Sequence, residues 1–323
     1  MKFIQLNSHD VYFNLAAEEY LFSQSEETET RFLLWQNDNA VVIGKHQNTV
    51  EEVNLAFAAR HHINIARRIS GGGAVYHDLG NLNYSIIVQS NAMRWDIKRT
   101  ADPVVAALRR MGVDVELNDR NDLLLAGKKI SGSSQYIRRD HLLHHGTLLF
   151  HADLATLSQG LKPDYDRIES RSRKSVRSPV TNICLHYPHL TIPAFITTLT
   201  EVLAASSDVN TYTLSDQDIE AIAKLRDEKY STWEWIYARS PEYTITKRRK
   251  INGRDVHITM AVKDSLIQSL NLDGDGNEWA EIEKTLLGVK IHEDDIAQAL
   301  DSLDLHQSVT SLSAQQLVWL LIN

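Results

Sequence analysis

Cysteine is nearly missing from this 323-residue chain, which has Cys184 alone. One thiol excludes an intrachain disulfide framework and any multi-cysteine zinc or iron–sulfur site. It suits a reducing compartment. Long apolar runs are missing as well. No stretch approaches the roughly 18 residues of a membrane-spanning helix, and residues 1–10 lack the apolar core of a secretion signal. A basic excess is also absent: 34 Lys and Arg stand against 42 Asp and Glu, a net charge of −8. Nucleic-acid binders usually carry the opposite sign. A phosphate ligand would therefore need local cations to hold it. The expectation is a cytoplasmic protein with no nucleic-acid and no membrane partner.

What is present looks globular. Hydrophobic residues make up 43% and charged residues 24%, close to the soluble average, which excludes global disorder. The length fits about two domains. Asp10 can cap a helix over 11–22, with Leu15, Glu18 and Glu19 at helical spacing. Glu26, Glu27 and Glu29 mark a polar loop. Strands are read at 32–35 and 41–43, with Asn37, Asp38 and Asn39 turning between them. A helix follows over 50–60, then a strand over 63–68. Residues 74–77 and 82–88 read as a hairpin around Asp78-Leu79-Gly80-Asn81. Further helices are read at 97–111, 154–161, 193–205 and 216–229. Strand-like runs lie at 113–117, 123–125, 128–133 and 147–150.

Strands that arrive in short runs and hairpins, with helices interspersed, indicate an α+β fold: a mixed β-sheet with packed helices. The pattern changes near 241–250. Beyond it come strands at 243–247, 255–262 and 265–272, then helices at 279–287, 293–303 and 313–322. Two domains are expected, 1–245 and a small α+β unit at 246–323.

One segment carries the strongest chemical signal: Arg67-Arg68-Ile69-Ser70-Gly71-Gly72-Gly73-Ala74-Val75-Tyr76-His77-Asp78. Three glycines let a backbone approach a ligand closely, and successive N–H groups in such a turn form an anion nest. The adjacent arginines supply forked donors for phosphate or carboxylate. The familiar nucleotide motifs fail, however. Tyr76 stands where a dinucleotide fingerprint needs its third glycine, and no Ser or Thr follows Lys128 as a P-loop requires. Alternation over 128–133 puts Lys129, Ser131 and Ser133 on one face. Lys129 reads either as a solvated edge lysine or as a cation aimed at a reacting phosphate. Asp122 reads as a magnesium ligand, a helper for the amine or a turn cap. The histidines between His141 and His151 lack a zinc-site pattern. Asp273-Gly274-Asp275-Gly276-Asn277 fails as a calcium loop, with Glu278 and Lys284 at the deciding positions.

Four segments in order resemble the lipoate–protein ligase family. They are Arg67 to Asp78, Lys129-Ile130-Ser131-Gly132-Ser133, His144-His145-Gly146-Thr147-Leu148-Leu149 and Ser175-Val176-Arg177-Ser178-Pro179-Val180-Thr181-Asn182. Phe13-Asn14-Leu15-Ala16, Glu18-Glu19 and Val42-Ile43-Gly44 with Gln47-Asn48 are similar too. The resemblance covers roughly residues 1–240 by motif; the remainder matches in being a small accessory domain.

The resemblance implies a class II synthetase-like biotin/lipoate ligase fold. It implies an enzyme that activates lipoate, or octanoate, with ATP and Mg²⁺. The acyl group then passes from lipoyl-AMP to a lysine of an apo lipoyl domain. Such carriers occur in 2-oxoacid dehydrogenase complexes and in the glycine-cleavage H protein. By resemblance Lys129 contacts both the lipoate carboxylate and the α-phosphate. Arg68 contacts ATP, and Gly73, Ala74, Val75 and Tyr76 hold the nucleotide. Trp35, Arg68, Ser70, Gly71, His77 and His145 are the implied lipoate-binding residues, with Asp122 the candidate magnesium ligand. The rival readings are an ATP-independent acyl transferase, a biotin–protein ligase and a non-catalytic lipoate-binding protein. The transferase would need a cysteine nucleophile, and Cys184 falls outside the acyl-transfer motifs.

Overall fold

A computed structural model describes residues 1–24, 29–89, 97–163, 165–251, 254–274, 279–301, 303 and 312–322. Glu26 and Glu27 of the expected polar loop, and residues 275–278 of the rejected calcium loop, lie outside the described residues. The chain forms two compact units. One comprises Met1–Lys45, His62–Leu161 and Ser175–Thr232; the other comprises His46–His61, Lys162–Lys174 and Trp233–Asn323. No single cut in the chain separates them.

The first unit is built on a six-stranded mixed sheet. Its order is Ser133–Arg138, His141–Leu149, Asn81–Gln89, Arg31–Trp35, Lys2–Gln5 and Asn210–Thr211. The first four strands pair antiparallel with one another, and Lys2–Gln5 lies parallel to both of its neighbours. Helices Ile97–Arg110 and Ile192–Ser206 pack with the sheet. Val104, Leu108, Phe195, Leu199 and Leu203 bury against Phe32, Tyr84, Leu148 and Phe150. Helix Val11–Ser23 starts where predicted, with the Asp10 carboxylate accepting from the Tyr12 amide at 2.8 Å. A Cβ on Gly146 would collide with the Tyr84 phenol across the sheet, so glycine there admits that ring.

Two three-stranded sheets complete this unit. Asn64–Arg67, Ala40–Ile43 and Val75–His77 make one; Glu116–Leu117, Leu123–Leu125 and Lys128–Ser131 make the other. These sheets correct two pairings expected from sequence. Residues 32–35 and 41–43 do not pair with each other but join different sheets. Likewise Val75–His77 pairs with Ala40–Ile43, whereas Asn81–Gln89 enters the large sheet. Hairpin patterns are local, but strand partners are chosen by long-range burial. The expected single strand over 128–133 breaks at Gly132, so Ser133 begins a new strand.

The second unit is a four-stranded antiparallel sheet: Arg167–Ser170, Tyr243–Ile251, Arg254–Lys263 and Leu266–Gly274. Helices Trp279–Leu286, Glu293–Asp301 and Ala314–Ile322 supply Ile282, Leu286, Ile296, Leu317 and Leu320 to its core. Lys247 is fully buried, and its ammonium donates to the Leu321 carbonyl at 2.9 Å. A cation at the carboxyl end of a helix is favourable. The helix expected over 50–60 is two short ones, Thr49–Glu52 and Leu55–Arg60. Asn54 interrupts it by capping the second, accepting from the Phe57 amide at 3.0 Å.

Candidate active site

The glycine loop leaves the strand Asn64–Arg67 and is held from beneath by Arg68. That guanidinium is buried and spent on the loop itself. Nη2 donates to the Gly71 and Gly73 carbonyls at 2.6 and 2.8 Å, Nη1 donates to the Val42 carbonyl at 3.1 Å, and Nε donates to Ser70 Oγ at 3.1 Å. Burial lowers its pKa to about 10, so it stays charged at neutral pH. Gly72 has φ 87°, a left-handed backbone that favours glycine. Gly71, Gly73, Ala74 and Val75 are partly exposed, while the Tyr76 ring is buried and its hydroxyl donates to Asn39 Oδ1 at 3.1 Å. This segment thus offers backbone, not the Tyr76 side chain, to a ligand.

Four sequence-distant motifs meet here. Ser134 Oγ donates to the Gly71 carbonyl at 3.0 Å. Ser175 Oγ accepts from the Ala74 amide at 2.8 Å. His145 Nε2 lies 2.6 Å from Ser70 Oγ. The Lys129 amide donates to the Pro179 carbonyl at 2.9 Å, and the Thr181 amide donates to the Lys129 carbonyl at 3.0 Å.

Lys129 is half-buried, and its ammonium pairs with Asp122 Oδ1 at 2.7 Å. A Cβ on Gly132 would sit 2.7 Å from Lys129 Nζ, so the missing side chain makes room for the ammonium. Asp122 also accepts from Asn118 Nδ2 at 3.2 Å. Among the described residues no cluster of three His, Cys, Asp or Glu could hold a metal. Asp122, the carboxylate expected to bind magnesium, thus pairs with Lys129 and is not part of such a cluster.

A second, buried side of the site runs beneath the loop. Trp35 Nε1 donates to Ser85 Oγ at 2.9 Å; Ser85 Oγ donates to Glu18 Oε1 at 2.6 Å; Glu18 Oε1 lies 2.8 Å from His145 Nδ1. His77 packs edge-on to Trp35 at 6.1 Å and takes a hydrogen bond at Nδ1 from Asn37 Nδ2, 3.0 Å away. Burial, reinforced by Arg68, lowers the His77 pKa to about 3. Burial likewise lowers His144 to about 3.

The residues expected at the site lie along these contacts or on the loop backbone, Asp122 joining them through Lys129. Sequence reading missed the linking role of Glu18, Ser85, Asn118, Ser134 and Ser175. For Glu18 a signal existed: it lies three residues from Leu15 and Leu21 and four from Phe22, all buried. A carboxylate inside an apolar helical stripe needs a partner. Cys184 sits in the short helix Ile183–His186, apart from the loop contacts above.

Comparison with known proteins identifies the family. The profile of the lipoyl protein ligase A/B catalytic domain matches residues 10–204, and that of the bacterial lipoate protein ligase C-terminus matches 240–321. The chain belongs to the lipoate–protein ligase family. It is 36% identical to lipoate–protein ligase 1 of Staphylococcus aureus, covering 99% of this chain and 100% of that one. A lipoate protein ligase of Thermoplasma acidophilum with bound lipoic acid superposes with a TM-score of 0.62 at 30% identity, over 73% of this chain and 98% of that chain. A lipoate–protein ligase A bound with ATP gives a TM-score of 0.62 at 29% identity, over 72% and 97%. The chain is accordingly an enzyme with the α+β fold of lipoate ligases. Among the described residues, no helix is long and apolar enough to cross a membrane.

Proposed function

We propose that this enzyme ligates lipoate to a specific lysine of a lipoyl carrier domain in two steps. The lipoate carboxylate attacks the ATP α-phosphorus and pyrophosphate leaves, giving lipoyl-AMP. The ε-amine of the carrier then attacks the acyl carbon, the bond to the AMP oxygen breaks, and the amine loses a proton. The observation that carries this reading is the convergence of the glycine loop, Lys129, His145 and Ser175 in one place.

The roles follow from chemistry. The first step brings two anions together, and a fixed cation between them stabilises the transition state. Lys129 fills that role, steadied by Asp122. Arg68 acts by shaping the loop, whose exposed Gly73-Ala74-Val75 backbone takes the nucleotide. Magnesium enters with the triphosphate and neutralises the departing pyrophosphate. Trp35, with His77 and His145 beside it, walls the acyl pocket. Each buried CH₂ of the acyl chain is worth roughly 0.8 kcal/mol. The unit containing Lys129 performs both steps, and the second unit is an accessory domain. Activity in the cytoplasm, on carriers of 2-oxoacid dehydrogenases and the glycine-cleavage system, belongs to the same proposal.

The test is lipoate-dependent exchange of pyrophosphate into ATP. Lys129→Ala should lower the exchange rate about 10²- to 10³-fold, the usual loss of a charge-stabilising group. Acyl transfer without ATP, dependent on Cys184, would instead establish the transferase.

A further inference from the structure

The tautomer of His77 follows from atoms that leave no choice. Backbone carbonyls accept and never donate. Asn14 meets two of them, the Ser8 and Gln36 carbonyls, each at 2.9 Å, so the atom facing them is its amide nitrogen Nδ2. The same nitrogen lies 3.0 Å from Asn37, which must turn its Oδ1 there to accept. That leaves Asn37 Nδ2 facing the His77 ring, where it donates to Nδ1 at 3.0 Å. A neutral imidazole that accepts at Nδ1 carries its proton on Nε2. His77 is neutral, since burial, with Arg68 and His145 close by, lowers its pKa to about 3.

Asn14, Asn37 and His77 are all buried. The resulting Nε2–H has no hydrogen-bond partner among the described residues. A buried donor left unpaired is costly, and native structures hold few of them. The His77 ring packs edge-on to Trp35 at 6.1 Å, so this donor belongs to the acyl side of the site. Lipoate brings acceptors of two kinds, its carboxylate oxygens and its dithiolane sulfurs. With the carboxylate at Lys129, the sulfurs are the acceptors that remain for a donor on the acyl side. Divalent sulfur is a weak acceptor. Octanoate has the same chain length and no sulfur, so it would bury the His77 donor with nothing to receive it.

We propose that His77 Nε2–H donates to a dithiolane sulfur and so favours lipoate over octanoate, and that Asn37, oriented by Asn14, is the positioning residue that fixes this tautomer. This rests on the lipoate reading of the site. A site built around a donor rejects the analogue that lacks the acceptor, because the donor is then stranded.

The experiment is pyrophosphate exchange by the full chain with lipoate and with octanoate, read as the ratio of the two kcat/KM values. The ratio cancels damage that lowers both alike. His77→Phe keeps a flat ring without the donor. It should lower the lipoate-to-octanoate ratio about fivefold, within the usual range for one neutral hydrogen bond. Asn37→Asp puts a group that only accepts against Nδ1. Ring ¹⁵N spectra of that variant should show a proton on Nδ1.

Should His77→Phe fail to fold, ¹H–¹⁵N spectra of the wild-type ring decide. Without ligand, Nε2 should be protonated and Nδ1 bare. The Nε2–H resonance should move downfield on saturation with lipoate and not with octanoate. An unchanged ratio in His77→Phe, a bare Nε2 in the free enzyme, or the same Nε2–H resonance with both acids would overturn the role of His77. A bare Nδ1 in Asn37→Asp would overturn the role of Asn37. Absence of lipoate-dependent exchange in the wild type would overturn the ligase reading itself.

Discussion

The two sides of the site are built on opposite principles. Beneath the glycine loop, Trp35, Ser85, Glu18, His145, Ser70 and Arg68 are all buried and joined by successive hydrogen bonds. Each group is fixed by its neighbours, and each left alone would cost the desolvation of a polar group. Lys129 has a different setting. Its side chain is 26% exposed and leans on one carboxylate, Asp122, at 2.7 Å. A flexible stem with one partner can follow a substrate through two successive chemical steps. The buried side is held at each link by its neighbours, whereas the half-exposed cation is held by one carboxylate.

Acid should break the buried side first. His77 and His144 are neutral in the fold, with pKa values lowered by burial from 6.5 to about 3. The unfolded chain therefore binds protons that the folded chain refuses. Their contribution is complete above pH 6.5 and is lost as pH falls toward 3. The expected slope is about 1.4 kcal/mol per pH unit for each histidine in that window. Urea unfolding at pH 7 and pH 5.5 measures it, and equal midpoints at the two pH values would contradict it. His144→Gln should make the slope shallower.

A milder perturbation sharpens the other side. Asp122→Asn keeps the shape but removes the charge that steadies Lys129. Pyrophosphate exchange should fall by about tenfold, as expected when a catalytic group loses its orientation. The magnesium concentration for half-maximal rate should stay the same. A large rise in that concentration would return Asp122 to the role of metal ligand.

The same contrast governed what could be read from sequence. The glycine loop was legible because its reasons are local: a left-handed Gly72 and three residues without Cβ. Lys129 was legible for its charge and setting, but its partner was not. Asp122 read equally as ligand, helper or cap, since only folding places it at 2.7 Å. Strand partners near the loop were misread because Asn81–Gln89 and Ala40–Ile43 find their neighbours through long-range burial. The Glu18–His145 contact spans 127 residues, and no local pattern encodes it. The helix interruption at Asn54 was local, but a continuous apolar pattern hid the cap. The polar chain joining Trp35 to Ser70 was the least legible part, since its links join segments far apart in sequence.

The basic stretch at 167–177 extends the comparison to charges with still less restraint. Arg171, Arg173, Lys174 and Arg177 are exposed. Lys174 is nonetheless tied to the buried Glu51 at 2.9 Å. Burial alone would push the Glu51 carboxyl up. Hydrogen bonds from Ser170, Ser172 and Lys174 outweigh that and hold it below its usual range. Lys174 and the two serines are therefore tied to Glu51, which leaves Arg171 and Arg173 as the exposed charges on which a carrier-docking role can be tested. Exposed charges act weakly and mostly on encounter. Replacing Arg171 and Arg173 with alanine should raise the carrier KM about threefold at low salt, an effect that salt erases. Pyrophosphate exchange, which needs no carrier, should be unchanged. A carrier KM that does not move at low salt would remove the docking role. A loss of exchange would shift the two arginines to the adenylation step.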